Sequence, residues 1–125
     1  MELNITGFLT PEDPDVSRMT CFVGEGDDHY GSPSRVDYIE INGTRLDDGI
    51  RPDYNVWNSH SNAIGDADIN GVGIDTFDMS AHLNPGDTAA DVIVGSDYEI
   101  FNVVYIILSF SSDTTTGGAM TYLIR

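Results

Sequence analysis

Apolar and polar residues alternate along this chain in short runs, and no stretch sustains apolar residues at i, i+3, i+4 and i+7. The runs are rich in Val, Ile, Tyr, Phe and Thr. Clusters of Gly, Pro, Asp, Asn and Ser separate them, as turns separate strands. Strands are predicted over Leu3–Phe8, Met19–Val23, Val36–Ile41, Thr44–Leu46, Ile74–Met79, Ala89–Val94, Val103–Phe110 and Met120–Ile124. Short strands at this spacing predict an all-β fold, an antiparallel β-sandwich of jelly-roll or immunoglobulin-like type, with residues 1–125 as one domain.

One hairpin is predicted in register. Asn42-Gly43 is the preferred pair for a two-residue turn that needs positive φ at both positions. Ile41 then faces Thr44, Glu40 faces Arg45, and Ile39 faces Leu46, which places an opposite-charge pair and an apolar pair on alternate sheet faces. The run from Ile100 to Phe110 is apolar on both sides: Val104, Ile106, Leu108 and Phe110 fall on one face, and Val103, Tyr105 and Ile107 on the other. Both faces need cover, from a second layer of this chain or from another copy. Val103, Tyr105 and Ile107 are the candidate assembly residues.

Asp47-Asp48-Gly49, Asn84-Pro85-Gly86-Asp87 and Thr115-Thr116-Gly117-Gly118 read as turns or loops. From Arg51 to Gly73 no clear strand periodicity appears, so this stretch needs an anchor other than a ladder.

Charge then narrows the function. Against 21 acidic residues stand 5 basic ones, all arginine, for a formal net charge of -16 among 125 residues. Phosphate backbones and anionic membranes are repelled by such a surface, which argues against a nucleic-acid partner. The 40% hydrophobic content still supports a packed core. High salt or bound divalent cations would relieve the self-repulsion, and both point outside the cell. No apolar run approaches the ~20 residues of a membrane span, so no insertion is expected. Met1-Glu2-Leu3-Asn4 carries neither a basic segment nor a signal core, so either processing precedes this start or the protein is not exported. Cys21 is the single cysteine, which excludes an internal disulfide and leaves a buried thiol or an intermolecular bridge.

The most suggestive chemical spacing is Asp66, Asp68, Asn70 and Gly71, followed by Asp75 and Asp78. It matches the front half of a calcium loop, with alternate oxygen ligands and a glycine at the sharp turn. Phe77 falls where the bidentate carboxylate belongs, so an EF-hand is excluded; a variant Ca2+ site would be completed by Asp75 or the Val72 carbonyl. A solvated Asx-rich turn accounts for the same residues. Glu25, Asp27 and Asp28 form a second acidic cluster of the same two readings. Tyr54, Trp57 and Asn58 mix aromatics with amides, as a glycan-stacking loop does, though Trp57 also suits a core plug. Asn4-Ile5-Thr6 and Asn42-Gly43-Thr44 are glycosylation sequons, making Asn4 and Asn42 candidates in an exported protein. His29, His60 and His82 lack metal-ligand spacing, and Ser96 lacks the second glycine of a nucleophile elbow. No catalytic residue is assigned, and the expectation is a protein that is not an enzyme.

Phe22-Val23-Gly24-Glu25-Gly26-Asp27, Ile41-Asn42-Gly43-Thr44-Arg45-Leu46, Asn55-Val56-Trp57-Asn58 and Phe77-Asp78-Met79-Ser80, leading to Leu83-Asn84-Pro85-Gly86-Asp87-Thr88, occur in that order. Together they resemble an uncharacterised family of β-sandwich domains in secreted surface proteins of methanogenic and related archaea, over roughly Met19 to Asp113. The resemblance implies an extracellular, cell-surface setting and no catalytic residues. The expected function is a structural module of a surface layer, sheath or filament that self-associates through strand edges or faces. The alternative is a calcium-dependent carbohydrate-binding module.

Overall fold

In a computed structural model the chain is described over residues 1–14, 17–26, 36–65, 67–97, 100–110, 112 and 120–124, with backbone alone at 25–26, 67 and 120–124. Among the described residues ten strands follow in order: β1 Glu2–Thr6, β2 Arg18–Gly26, β3 Val36–Ile41, β4 Thr44–Arg45, β5 His60–Ser61, β6 Ala67–Asp68, β7 Gly71–Asp78, β8 Ala89–Asp97, β9 Asn102–Phe110 and β10 Met120–Ile124. Each predicted strand is present, so the alternating pattern was a true guide to the ladder. The differences are at the strand ends and within residues 51–73, where no strand is predicted yet β5 and β6 pair as a small antiparallel sheet. β2 continues to Gly26 and β8 to Asp97, because Gly24 and Gly95 extend the backbone without contributing to the apolar pattern.

Two antiparallel sheets pack against each other as a β-sandwich: β1-β8-β3-β4 forms sheet A and β10-β9-β2-β7 forms sheet B. The core lies between them. Alternate residues point inward: Ile39 and Ile41 from β3, Ala90, Val92 and Val94 from β8, Met19, Cys21 and Val23 from β2, and Ile106, Leu108 and Phe110 from β9, all buried. Each fully buried aliphatic or aromatic side chain among these contributes about 1.5–3 kcal/mol.

The Asn42-Gly43 hairpin has the expected register, with Glu40 opposite Arg45 and Ile41 opposite Thr44. Asn42 and Gly43 hold φ of 50° and 80°, the positive values that the turn requires. Leu46 N–H donates to the Ile39 carbonyl at 2.9 Å, and both side chains are buried.

The two-faced run in β9 needs one correction. Phe22 pairs with Tyr105 and the next residue, Val23, with Val103, so Val104 is an extra residue, a bulge. The bulge reverses the phase of the strand. Val103 therefore lies opposite inward-facing Val23, on a different face from Tyr105 and Ile107, and Val104 is exposed instead of sharing the core with Ile106. Among the described residues no helix is long and apolar enough to cross a membrane. The Thr115 to Gly118 turn lies outside the described residues.

Candidate interaction surfaces and their internal support

The long segment after Arg51 is held by polar side chains. Arg51, 3% exposed, donates from Nε to Asp48 Oδ2 at 2.7 Å and from Nη2 to the same oxygen. Its Nη1 lies 3.1 Å from Oδ1 of Asp75, which is fully buried on the inward face of β7. One guanidinium thus bridges a loop carboxylate and a core carboxylate. Burial pushes the Asp48 carboxyl up, but the Arg51 backbone N–H, the Arg51 guanidinium and the Ile50 N–H outweigh it and hold it below 3.8. Asp75 Oδ1 also accepts the Asn62 N–H at 3.0 Å. On β3, Asp37 is likewise buried, and its Oδ1 accepts the Trp57 N–H at 3.0 Å.

Trp57 plugs the core. It is fully buried with its ring centroid 4.4 Å from that of Phe101. Gly73 makes room for it, since a Cβ there would come within 3.3 Å of Trp57 Cδ1 and of Asp75 Oδ2. Asn58 is 3% exposed, and its Nδ2 donates to the Ile50 carbonyl at 2.8 Å. Of the Tyr54, Trp57 and Asn58 set, only Tyr54 offers its ring to solvent, at 40% exposure. The other two are consumed in fixing the loop, which removes the stacking platform that the sequence suggested.

Of the calcium candidates, Asp68 and Asn70 lie together and Asp75 stands apart from them. Asp68 is exposed on β6, where its Oδ1 accepts the Asn70 N–H at 2.9 Å. Asn70 takes φ of 43° at the turn into β7, and Val72 sits partly buried on that strand. Asp75 faces the opposite way, into the core and onto Arg51. Asp66 lies outside the described residues, as do Asp27, Asp28 and His29, and the Glu25 side chain is not described. Among the described residues no three His, Cys, Asp or Glu side chains are grouped to hold a metal ion.

Cys21 is fully buried on β2, and burial pushes its thiol up to about 12, against a smaller opposite influence from the Trp57 side chain. Such a thiol is closed to a neighbouring chain. Both sequon asparagines are exposed but engaged. Asn4 Nδ2 donates to Asp91 Oδ1 at 2.6 Å. Asn42 Nδ2 donates to the His82 carbonyl at 2.9 Å, while its Oδ1 accepts the Asp91 N–H at 3.0 Å.

The outward face of sheet B is the surface that sequence reasoning saw only in part. Cross-strand register aligns Ile74, Phe22 and Tyr105 in one row, and Thr76, Thr20 and Ile107 in the next. Phe22 and Tyr105 meet edge to face with centroids 5.7 Å apart. Neither row contains a carboxylate. The bounding row pairs Arg18 with Asp78 at 3.1 Å. Tyr105 and Ile107 were assigned to this face from β9 alone; Phe22 and Ile74 were legible only from the phase of β2 and β7 relative to it.

The sheet edges differ as well. Along β7, Asn62 imitates a paired strand: its Nδ2 donates to the Thr76 carbonyl at 2.8 Å and its Oδ1 accepts the Thr76 N–H at 2.9 Å. Ser61 Oγ donates to the Ile74 carbonyl, one ladder step away. Comparison with known protein families, curated proteins and solved structures gives no match for this chain.

Proposed function

We propose that this chain is a non-enzymatic structural module that self-associates in an extracellular, cell-surface assembly, with the outward face of sheet B as a principal contact. The observation that carries the reading is the carboxylate-free pair of rows running from Ile74 and Thr76 through Phe22 and Thr20 to Tyr105 and Ile107. At a net charge of -16, two copies repel over most of their surfaces. Burial of this face is favourable without bringing acids together, and sheet faces stack naturally at about 10 Å. The envelope setting is part of the proposal and follows the expectation drawn from the phrases at Phe22–Asp27, Ile41–Leu46, Asn55–Asn58 and Phe77–Thr88.

Sedimentation velocity across salt and calcium concentrations, with circular dichroism, tests this on the wild type and Ile107→Asp. Screening strengthens an association that charge opposes, so larger species grow with salt. Ile107→Asp gives a folded monomer. A wild-type protein that stays monomeric under every condition overturns the reading. Loss of fold in Ile107→Asp places that residue in the core and removes the face.

A further inference from the structure

We infer that Asn4 and Asn42 both carry N-linked glycans, which places the sugar of this chain on the outward face of sheet A, opposite the contact face of sheet B. The inference rests on the extracellular setting proposed above and adds a modification to it. The two sequons are far apart in sequence, but the fold brings them to one row. Asn4 pairs with Asp91 in the β1–β8 ladder. Asn42 N–H donates to the Asp91 carbonyl at 2.9 Å, and Asp91 N–H donates to Asn42 Oδ1 at 3.0 Å. The row therefore runs Asn4, Asp91, Asn42, and at the usual strand spacing its ends are about 10 Å apart. Ile5, Ala90 and Val92, the sequence neighbours of this row, are buried, so the row itself points outward. Both asparagines and both sequon threonines, Thr6 and Thr44, are exposed.

The amide contacts are compatible with the modification. Asn4 Nδ2 donates to Asp91 Oδ1 and Asn42 Nδ2 to the His82 carbonyl, one hydrogen from each amide. In transfer from a lipid-phosphate-linked oligosaccharide, Nδ2 bonds to the first sugar carbon and gives up one proton. The bond from that carbon to the phosphate oxygen breaks, and the lipid phosphate leaves. One hydrogen remains on each nitrogen, so both contacts persist beneath the glycan and fix its root. The neighbouring row, Glu2, Ile93, Glu40 and Arg45, lies on the same face. Glu2, Glu40 and Asp91 put carboxylates there, where the two central rows of sheet B have none. The sugar thus occupies the face that charge already keeps away from a second copy.

Peptide mass spectrometry of the protein isolated from its own cells tests this, with antibody binding to intact cells reporting the setting independently. The expected result is a carbohydrate mass on both asparagines. Thr6→Ala should remove it from Asn4 alone and Thr44→Ala from Asn42 alone, while Thr44→Ser retains it, because each sequon needs its hydroxyl. An unmodified Asn4 or Asn42 on protein that the antibody finds at the surface overturns the inference and leaves self-association standing. No antibody at the surface overturns the extracellular setting and the glycans with it. Sedimentation then reads the division of faces: the glycosylated protein and the Thr6→Ala/Thr44→Ala double variant should show the same growth with salt. A different response from the two would put sheet A in the contact and overturn the placement of the sugar away from it. Growth in neither overturns the sheet B contact and leaves the glycan sites standing.

Discussion

The two lateral sides of the sandwich are finished by different means. On one side β4 has only two residues, and β7 is covered by Ser61 and Asn62. These edges lie together, since Leu46, Asp48, Phe77 and Asp78 line one pocket. On the other side stand β1 and β10, brought together where Phe8 stacks on Phe110 at 4.4 Å and Leu9 N–H donates to Ser112 Oγ at 3.1 Å. That side is joined by apolar stacking, where the other is covered by polar side chains. An uncapped edge is an opportunity for pairing, and a capped one is closed to it. The difference teaches where the buried charge goes: Arg51 fixes Asp75, Asp75 holds the Asn62 backbone, and Asn62 covers the edge. Charge that adds little to stability in itself is here used to position a cap.

The comparison breaks most severely at Arg51. Arg51→Met leaves Asp48 and Asp75 without their cation, and removing one partner of a buried pair costs about 3–5 kcal/mol. Urea denaturation should show a loss of that order or an unfolded chain. A midpoint within error of wild type would detach the loop anchor from the fold's stability.

Asn62→Ala is the sharper instrument, because it uncaps β7 while sparing the core. Thr76 is exposed, so water replaces the amide at its N–H and carbonyl and the loss should be about 1 kcal/mol or less. The second consequence is in assembly: with the β7 edge uncovered, sedimentation should show heavier species than wild type at equal salt. An unchanged distribution would mean that capping does not limit lateral pairing.

Most of this architecture was legible in the sequence, for reasons that differ from residue to residue. Val36–Ile41 was read correctly to its ends because Ile39 and Ile41 alternate cleanly and Asn42-Gly43 punctuates them. The Val104 bulge was not legible, since a valine in phase and a valine out of phase look alike. The core carboxylates did leave a signal. Asp37 falls in phase with Ile39 and Ile41, and Asp75 with Phe77, so each acid occupies a core-facing position in its own strand. Asp75 was instead grouped with Asp68 by spacing, which carries no information about which face of a strand a residue takes. Trp57 and Asn58 suit a sugar and a core anchor equally; only burial separates the two uses.

The hairpin that ends sheet A on its capped side provides a more local test. Gly43 holds φ of 80°, a conformation that a β-branched residue adopts only under strain, and Asn42 ties the same turn to Asp91 and His82. Gly43→Val should cost about 1–3 kcal/mol, read as a lowered melting temperature with assembly unaffected. An unchanged melting temperature would mean that the turn contributes nothing to closing this side.

Titration is the mildest perturbation, and it also acts on the capped side, where Asp48 and His82 line the pocket between β4 and β7. Burial lowers the His82 imidazole below 6.5, and Asp78 only partly opposes it. Above pH 6.5 the ring is neutral folded or unfolded and has no effect. Below 6.5 the unfolded chain takes up the proton first, so stability declines until the lower folded value is passed, and then declines no further on this account. Asp48 acts in a separate window. Its contribution is complete above 3.8 and is lost as pH falls through its depressed folded value. With both groups partly exposed, solvent screening keeps each effect below about 1 kcal/mol. Urea midpoints at pH 7.5 and 5.5 should therefore differ more for wild type than for His82→Gln, with wild type the less stable at the lower pH. A His82→Gln protein with the same pH dependence would assign the loss to other groups and leave the pocket without a titrating role.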